Sequence, residues 1–183
     1  MLLHNQTQAI QRMNTLAKEG KDFIFIINYK ADSAYIEEFT NIDPRELLFS
    51  FPTLSNIPEA ESYSNEAVEW HTEPPTREDY EHRINLVKQR EREGDSYLAN
   101  LTCKIPIRTN LSLHDIFMRS KALYRCWMRE KFVCFSPEIF VRINREGLIS
   151  SFPMKGTIDA TRPDAEKELM ENKKEAAEHA TIV

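Results

Sequence analysis

The chain has 183 residues, of which 41% are hydrophobic, and its 24 basic and 29 acidic residues give a net charge of −5. This length and apolar content suit one domain with a packed core, or part of a larger domain. The acidic balance and the scattered lysines and arginines argue against binding to nucleic acid or to a membrane surface. No apolar run is long enough to cross a bilayer, and residues 1–6 lack the pattern of a signal peptide.

The first 75 residues are predicted to form strands and loops around one helix. Apolar residues recur at helical spacing over residues 7–19, and Gly20 ends this helix. Phe23–Asn28 is an apolar, β-branched run that predicts a buried strand. Residues 52–66 are rich in Pro, Ser, Asn and Glu and are predicted to be a surface loop.

Helices and strands are mixed in the remainder of the chain. Thr76 is the predicted N-cap of a second helix that ends at Gly94, and Tyr97–Ile107 is the predicted strand that follows it. A third helix is predicted from Ser112 to Leu123. The next predicted strands are Phe132–Phe135, Ile139–Ile143 and Leu148–Phe152, with the turn Asn144-Arg145-Glu146-Gly147 between the last two.

After Pro163 the pattern predicts two helices, the second of which starts at Asn172, with Glu175 three residues later as in a capping box. Strands and helices do not alternate strictly, which predicts an α+β fold. Trp70 and Trp127 are predicted to be core residues. The three cysteines are odd in number and lack CxxC spacing, which favours buried, reduced thiols and a cytosolic, cytoplasmic location; they are Cys103, Cys126 and Cys134.

The segment Ser151–Thr157 places Lys155 among apolar residues directly after a predicted strand. A neutral lysine is a nucleophile, and desolvation or a nearby positive charge lowers the pKa of a lysine enough to make it neutral. Gly156 allows close approach of a substrate. Taken alone, the segment favours an ordinary loop lysine over a nucleophile.

Three acidic residues are further candidates. Glu138 lies in Ser136-Pro137-Glu138 and can serve as a general acid if its pKa is raised, although such a tripeptide is also a common turn. Glu175 and Glu178 are three apart, so a helix would place both carboxylates on one face, where oxygen ligands suit Mg2+. The alternative for this pair is a solvated charged face.

Four segments in this order resemble the chorismate-utilising enzymes, a family that includes anthranilate, aminodeoxychorismate and isochorismate synthases. They are Gly94–Thr102, Ser136–Glu138, Ser151–Thr157 and Lys174–His179. The resemblance is most specific over residues 94–183. It implies stacked, mainly antiparallel sheets with surrounding helices. Because relatives continue further, it also implies that residues 1–183 form a single incomplete chorismate-binding domain, with 1–75 as its N-terminal strand and loop region and 76–183 as the first part of its catalytic core.

The resemblance also implies a role for each candidate residue. Lys155 would attack C2 of the chorismate ring, Glu138 would be the general acid, and Gly156 and Thr157 would contact the substrate. Glu178 would ligate Mg2+ directly, with Glu175 close to the metal.

The lysine favours the aminodeoxychorismate synthase component I branch, because anthranilate and isochorismate synthases usually have alanine at that position. This branch would take ammonia from a glutamine amidotransferase subunit and act in 4-aminobenzoate and folate biosynthesis. The alternatives are a relative of anthranilate synthase component I or of isochorismate synthase, or a truncated remnant without activity. The chain alone is expected to be inactive.

Overall fold

The computed structural model describes residues 1–59, 63, 66–96, 99–136, 139, 141–152, 158–173, 176–177 and 180. Its helices are α1 (Gln6–Lys18), α2 (Arg77–Glu93), α3 (Leu113–Arg119) and α4 (Ala165–Met170), with a short 3-10 helix at Phe39–Asn41. Its first strands are β1 (Leu3–Asn5), β2 (Phe23–Ile27), β3 (Ser33–Glu38), β4 (Leu47–Phe51), β5 (Leu54–Ser55) and β6 (Trp70–Thr72). The later strands are β7 (Ile107–Thr109), β8 (Tyr124–Met128), β9 (Phe132–Ser136), β10 (Val141–Ile143) and β11 (Ile149–Ser151).

A three-stranded antiparallel sheet with the order β1-β3-β2 is covered on one face by α1. Asn5 begins the helix with a capping box, in which its side chain accepts from the amide of Gln8 and the Gln8 side chain accepts from the amide of Asn5. Leu16 on α1 is completely buried and packs in one cluster with Ala34 and Ile36 of β3. The alternation of β3 therefore directs these two side chains towards the helix.

The second sheet is four-stranded, with the order β5-β4-β8-β9, and its central strands β4 and β8 pack on both faces. One face carries Phe49 and Met128 and packs against Ile24 and Ile26 of the first sheet. The other face packs against α3 through a cluster of Leu48, Trp127 and the fully buried Phe117. The layers are thus α1, the three-stranded sheet, the four-stranded sheet and α3. This arrangement confirms the α+β class and the stacked antiparallel sheets.

Local capping signals identified the end of α1 and both ends of α2. The first helix ends before Gly20, whose φ is +67°. Thr76 accepts a hydrogen bond from the amide of Asp79 at the start of α2, and Gly94 ends α2 with a φ of +87°. Both conformations are left-handed and favour glycine.

Several predicted elements differ from the structure. The strand predicted at Tyr97–Ile107 is wrong, because the described residues 99–106 have no regular structure and β7 begins only at Ile107. The helix predicted to reach Leu123 ends at Arg119. The strand predicted to be buried at Phe23–Asn28 is half-exposed, since Phe25 retains 53% of its surface. Trp127 is buried, but Trp70 is 47% exposed, so only one of the two tryptophans is a core residue.

In the part of the chain that the structure describes, no helix is both long and apolar enough to cross a membrane.

Candidate active site

The six predicted site residues all lie outside the described residues: Glu138, Lys155, Gly156, Thr157, Glu175 and Glu178. Their predicted roles therefore remain predictions. The structure does describe the segments that flank each of them.

The β10–β11 hairpin connects the segment of Glu138 with that of Lys155. Val141 pairs with Ser151, and Ile143 pairs with Ile149 nearer the turn. At the turn, the amide of Gly147 donates to the Asn144 carbonyl over 3.1 Å, and the Asn144 side chain accepts from the amide of Leu148 over 2.8 Å. This confirms the predicted turn. Glu138 precedes Val141 by three residues and Lys155 follows Ser151 by four, so both segments adjoin the open end of one hairpin.

The hairpin is shorter than predicted, and its strands are exposed. Its strands cover 141–143 and 149–151 rather than 139–143 and 148–152. Every residue from 141 to 152 is exposed, including Ile143 and Ile149, each of which leaves about two thirds of its surface in water. An antiparallel pair with one apolar face ordinarily packs that face against a core.

A polar turn follows the Lys155 segment. Thr161 donates to the carboxylate of Asp159 from its hydroxyl over 2.7 Å and from its amide over 2.9 Å. These two hydrogen bonds lower the pKa of the Asp159 carboxyl below its usual value. Asp159 therefore carries its negative charge in a turn that lies four residues after Lys155 in the sequence.

The segment of the predicted metal ligands follows α4. Here the Ala176 amide donates to the Asn172 carbonyl over 3.0 Å, a helical i to i+4 bond that agrees with the predicted start of a helix at Asn172. The described residues contain no group of three or more His, Cys, Asp or Glu side chains that could hold a metal ion. The predicted ligands Glu175 and Glu178 lie outside the described residues, so the Mg2+ site remains a prediction.

The Gly94–Thr102 segment lies beside α2. Residues 99–101 face Tyr80, Ile84 and Val87 on the apolar side of α2, across a cleft of about 370 Å3. Asn100 is exposed there. It does not lie in a strand, although the sequence predicted one. Tyr97 and Leu98 lie outside the described residues.

An apolar groove of about 550 Å3 runs between the two stacked sheets. All of β2 lines one side, and Phe51, Phe132, Cys126 and Cys134 line the other. β2 is an edge strand of its sheet, and its Phe25 and Ile27 are 53% and 46% exposed, so the apolar run of β2 is only partly buried.

Two cysteines in this groove face each other across β8 and β9, where Cys126 pairs with Cys134. A hydrogen bond between the two thiols lowers the pKa of Cys134 to about 7, and the same bond, together with burial, raises the pKa of Cys126. All three cysteines are free thiols in the structure, as predicted, but only Cys126 is buried. The sequence contained a signal only for Cys134, which falls in the predicted strand Phe132–Phe135, and its register with Cys126 was not predictable.

The chain matches a family model described as chorismate binding enzyme over residues 10–183. It is 36% identical over 174 residues to an uncharacterized PabA-like protein of Pasteurella multocida, and 36% identical over 179 residues to an uncharacterized PabA-like protein of Haemophilus influenzae. Each alignment covers 95% of this chain but only 53% and 52% of the respective relative. The chain therefore spans about half the length of these curated relatives.

A more distant similarity is to the anthranilate synthase component 1 of Acetivibrio thermocellus, at 27% identity over 120 residues. This alignment covers 59% of the chain and 24% of the relative. No solved structure matches the chain.

Proposed function

Because the chain belongs to the chorismate-binding enzyme family, we propose that it carries catalytic residues of an aminodeoxychorismate synthase component I. This activity converts chorismate and ammonia to 4-amino-4-deoxychorismate, on the route to 4-aminobenzoate and folate. The observation that carries the proposal is Lys155, which stands where the anthranilate and isochorismate branches usually have alanine. The hairpin supports it, because Val141 and Ser151 pair at its open end and are three and four residues from Glu138 and Lys155 in the sequence.

In the proposed reaction, the Lys155 amine forms a bond to C2 of the chorismate ring. The ring electrons shift and the C4–O bond breaks, while Glu138 donates a proton so that the 4-hydroxyl leaves as water. Ammonia then forms a bond to C4 and the lysine is released from C2. Both carbon–nitrogen steps require a neutral amine, so the Lys155 pocket must favour the uncharged form of the side chain.

The proposed cofactor is Mg2+, with Glu178 as a direct ligand and Glu175 beside it. Two carboxylates provide the oxygen donors that Mg2+ takes in proteins, and their spacing of three places them on one face of a helix. When bound, the ion would neutralise carboxylate charge on the substrate. The proposed partners are chorismate and a glutamine amidotransferase subunit that supplies ammonia in the cytoplasm.

The product of the reaction tests the proposal. A chimera is made in which the chain is joined to the part of the P. multocida relative that the alignment does not cover. The 183-residue chain and this chimera are each incubated with chorismate, ammonium and Mg2+. We expect the chimera to form 4-amino-4-deoxychorismate, identified by chromatography and mass spectrometry, and the chain alone to show little turnover. Formation of anthranilate or isochorismate by the chimera would contradict the proposal and favour another branch of the family.

Variants of Glu175 and Glu178 test the proposed Mg2+ site and serve as controls for each other. In the chimera, Glu178→Gln should raise the Mg2+ concentration for half activity by about tenfold, on the order of 1.4 kcal/mol, because a direct carboxylate ligand is lost. Glu175→Gln should have a smaller effect. The initial rate measured as a function of Mg2+ concentration gives both values. Small, equal shifts would contradict the metal site and favour the alternative that both glutamates lie on a solvated charged helix face.

A further inference from the structure

Cys126 and Cys134 are placed for disulfide formation. They are directly opposite each other in the antiparallel pair of β8 and β9, so both side chains project from the same face of the sheet. Opposite residues in such a pair have Cα atoms about 4.5 or 5.5 Å apart, and both values lie in the range that a disulfide spans, about 4.4–6.8 Å. Both thiols are free in the structure, and each shifts the pKa of the other.

The two thiols have different environments. Cys126 is 9% exposed and packs with Phe49 and Met128 in the core between the sheets. Cys134 is exposed on β9, the edge strand of the four-stranded sheet, and lines the open groove. Its lowered pKa, about 7, means that a large fraction is thiolate at neutral pH. An accessible thiolate next to a second thiol is the arrangement found in cysteines that sense oxidants.

We propose that Cys126 and Cys134 form a reversible, peroxide-oxidised dithiol site. The Cys134 thiolate attacks one oxygen of hydrogen peroxide, the O–O bond breaks, and a sulfenic acid forms on Cys134 while the other oxygen leaves as hydroxide. The Cys126 sulfur then attacks the Cys134 sulfur, the S–O bond breaks, and the disulfide forms. In total two thiols lose two electrons and two protons, and one hydrogen peroxide is reduced to two waters.

The site lies in the strand that leads to the proposed general acid. Cys134 precedes Glu138 by four residues. A covalent link between β8 and β9 would hold the end of β9 more firmly. Oxidation of the two cysteines can be measured directly on the protein, without the proposed enzymatic activity.

Oxidation mapping on the 183-residue chain tests the proposal. The reduced protein is treated with hydrogen peroxide at pH 7, its remaining thiols are alkylated, and its peptides are mapped by mass spectrometry. We expect the protein to lose the mass of two hydrogens, with Cys126 linked to Cys134 and Cys103 alkylated, and dithiothreitol should reverse the change. A dominant disulfide that contains Cys103, or oxidation of Cys103 before Cys134, would overturn the proposal. This mapping requires no variant.

Two variants separate the steps. Cys103→Ser is the matched control and should form the same disulfide as the unchanged protein. Cys126→Ala should stop at the Cys134 sulfenic acid, which dimedone captures. The same variant removes the hydrogen bond that lowers the Cys134 pKa, so alkylation of Cys134 by iodoacetamide at pH 7 should slow by roughly fivefold. An unchanged alkylation rate would show that Cys126 does not activate Cys134, which counts against the proposal.

Discussion

Replacing Lys155 by alanine is expected to abolish a covalent adduct between the protein and chorismate. In the proposed reaction the lysine amine bonds to C2 of the ring, and without ammonia this intermediate has no amine to release it. The chimera incubated with chorismate and Mg2+, but without ammonium, should therefore gain the mass of chorismate less one water, and peptide mapping should locate this mass on Lys155. Alanine offers no nucleophile, so the adduct should disappear completely.

The matched control for this experiment is Lys121→Ala, which removes an exposed lysine just after α3 and should retain the adduct. With ammonium present, the Lys155→Ala chimera can still aminate chorismate slowly, by the direct route available to relatives with alanine at this position. An adduct located on a different lysine would refute the assignment of Lys155 as the nucleophile.

Replacing Phe49 by alanine is expected to destabilise the fold by about 3–5 kcal/mol. Phe49 is 1% exposed in the centre of β4, and its ring lies 5.9 Å from that of Phe39 and 5.1 Å from that of Phe51. Its removal leaves a cavity between the two sheets, beside Cys126, where neighbouring strands restrict collapse. A loss of this size is a large part of the total stability of a typical domain, about 5–15 kcal/mol.

Phe25→Ala is the matched control, because Phe25 is also a strand phenylalanine but remains 53% exposed. Its replacement should cost about 1 kcal/mol or less, since most of the ring already contacts water. Urea denaturation followed by circular dichroism measures both free energies of unfolding. Equal losses for the two variants would mean that the space between the sheets is not the main core of the fold.

The motif residues could be identified from the sequence because a motif is defined by the types of its residues and by their order along the chain. A lysine before Gly-Thr, a Ser-Pro-Glu and a pair of glutamates three apart can be recognised without coordinates, and the family match over residues 10–183 agrees with that recognition. The hairpin between Glu138 and Lys155 was also predicted, because Asn144 and Gly147 have strong turn preferences. The placement of the six predicted site residues relative to one another stays a prediction, because they lie outside the described residues.

The sequence by itself determined the end of α1, both ends of α2 and the α+β class. Thr76 and Gly94 act on the backbone within one turn of their own positions, so their effect can be predicted locally. Only the tertiary structure decided the exposure of Trp70 and Phe25 and the pairing of Cys126 with Cys134. The physical reason is that exposure and strand register depend on residues distant in the sequence. An apolar run predicts that a strand will be at least partly buried. The packing of the whole chain decides which strand it pairs with and in which register.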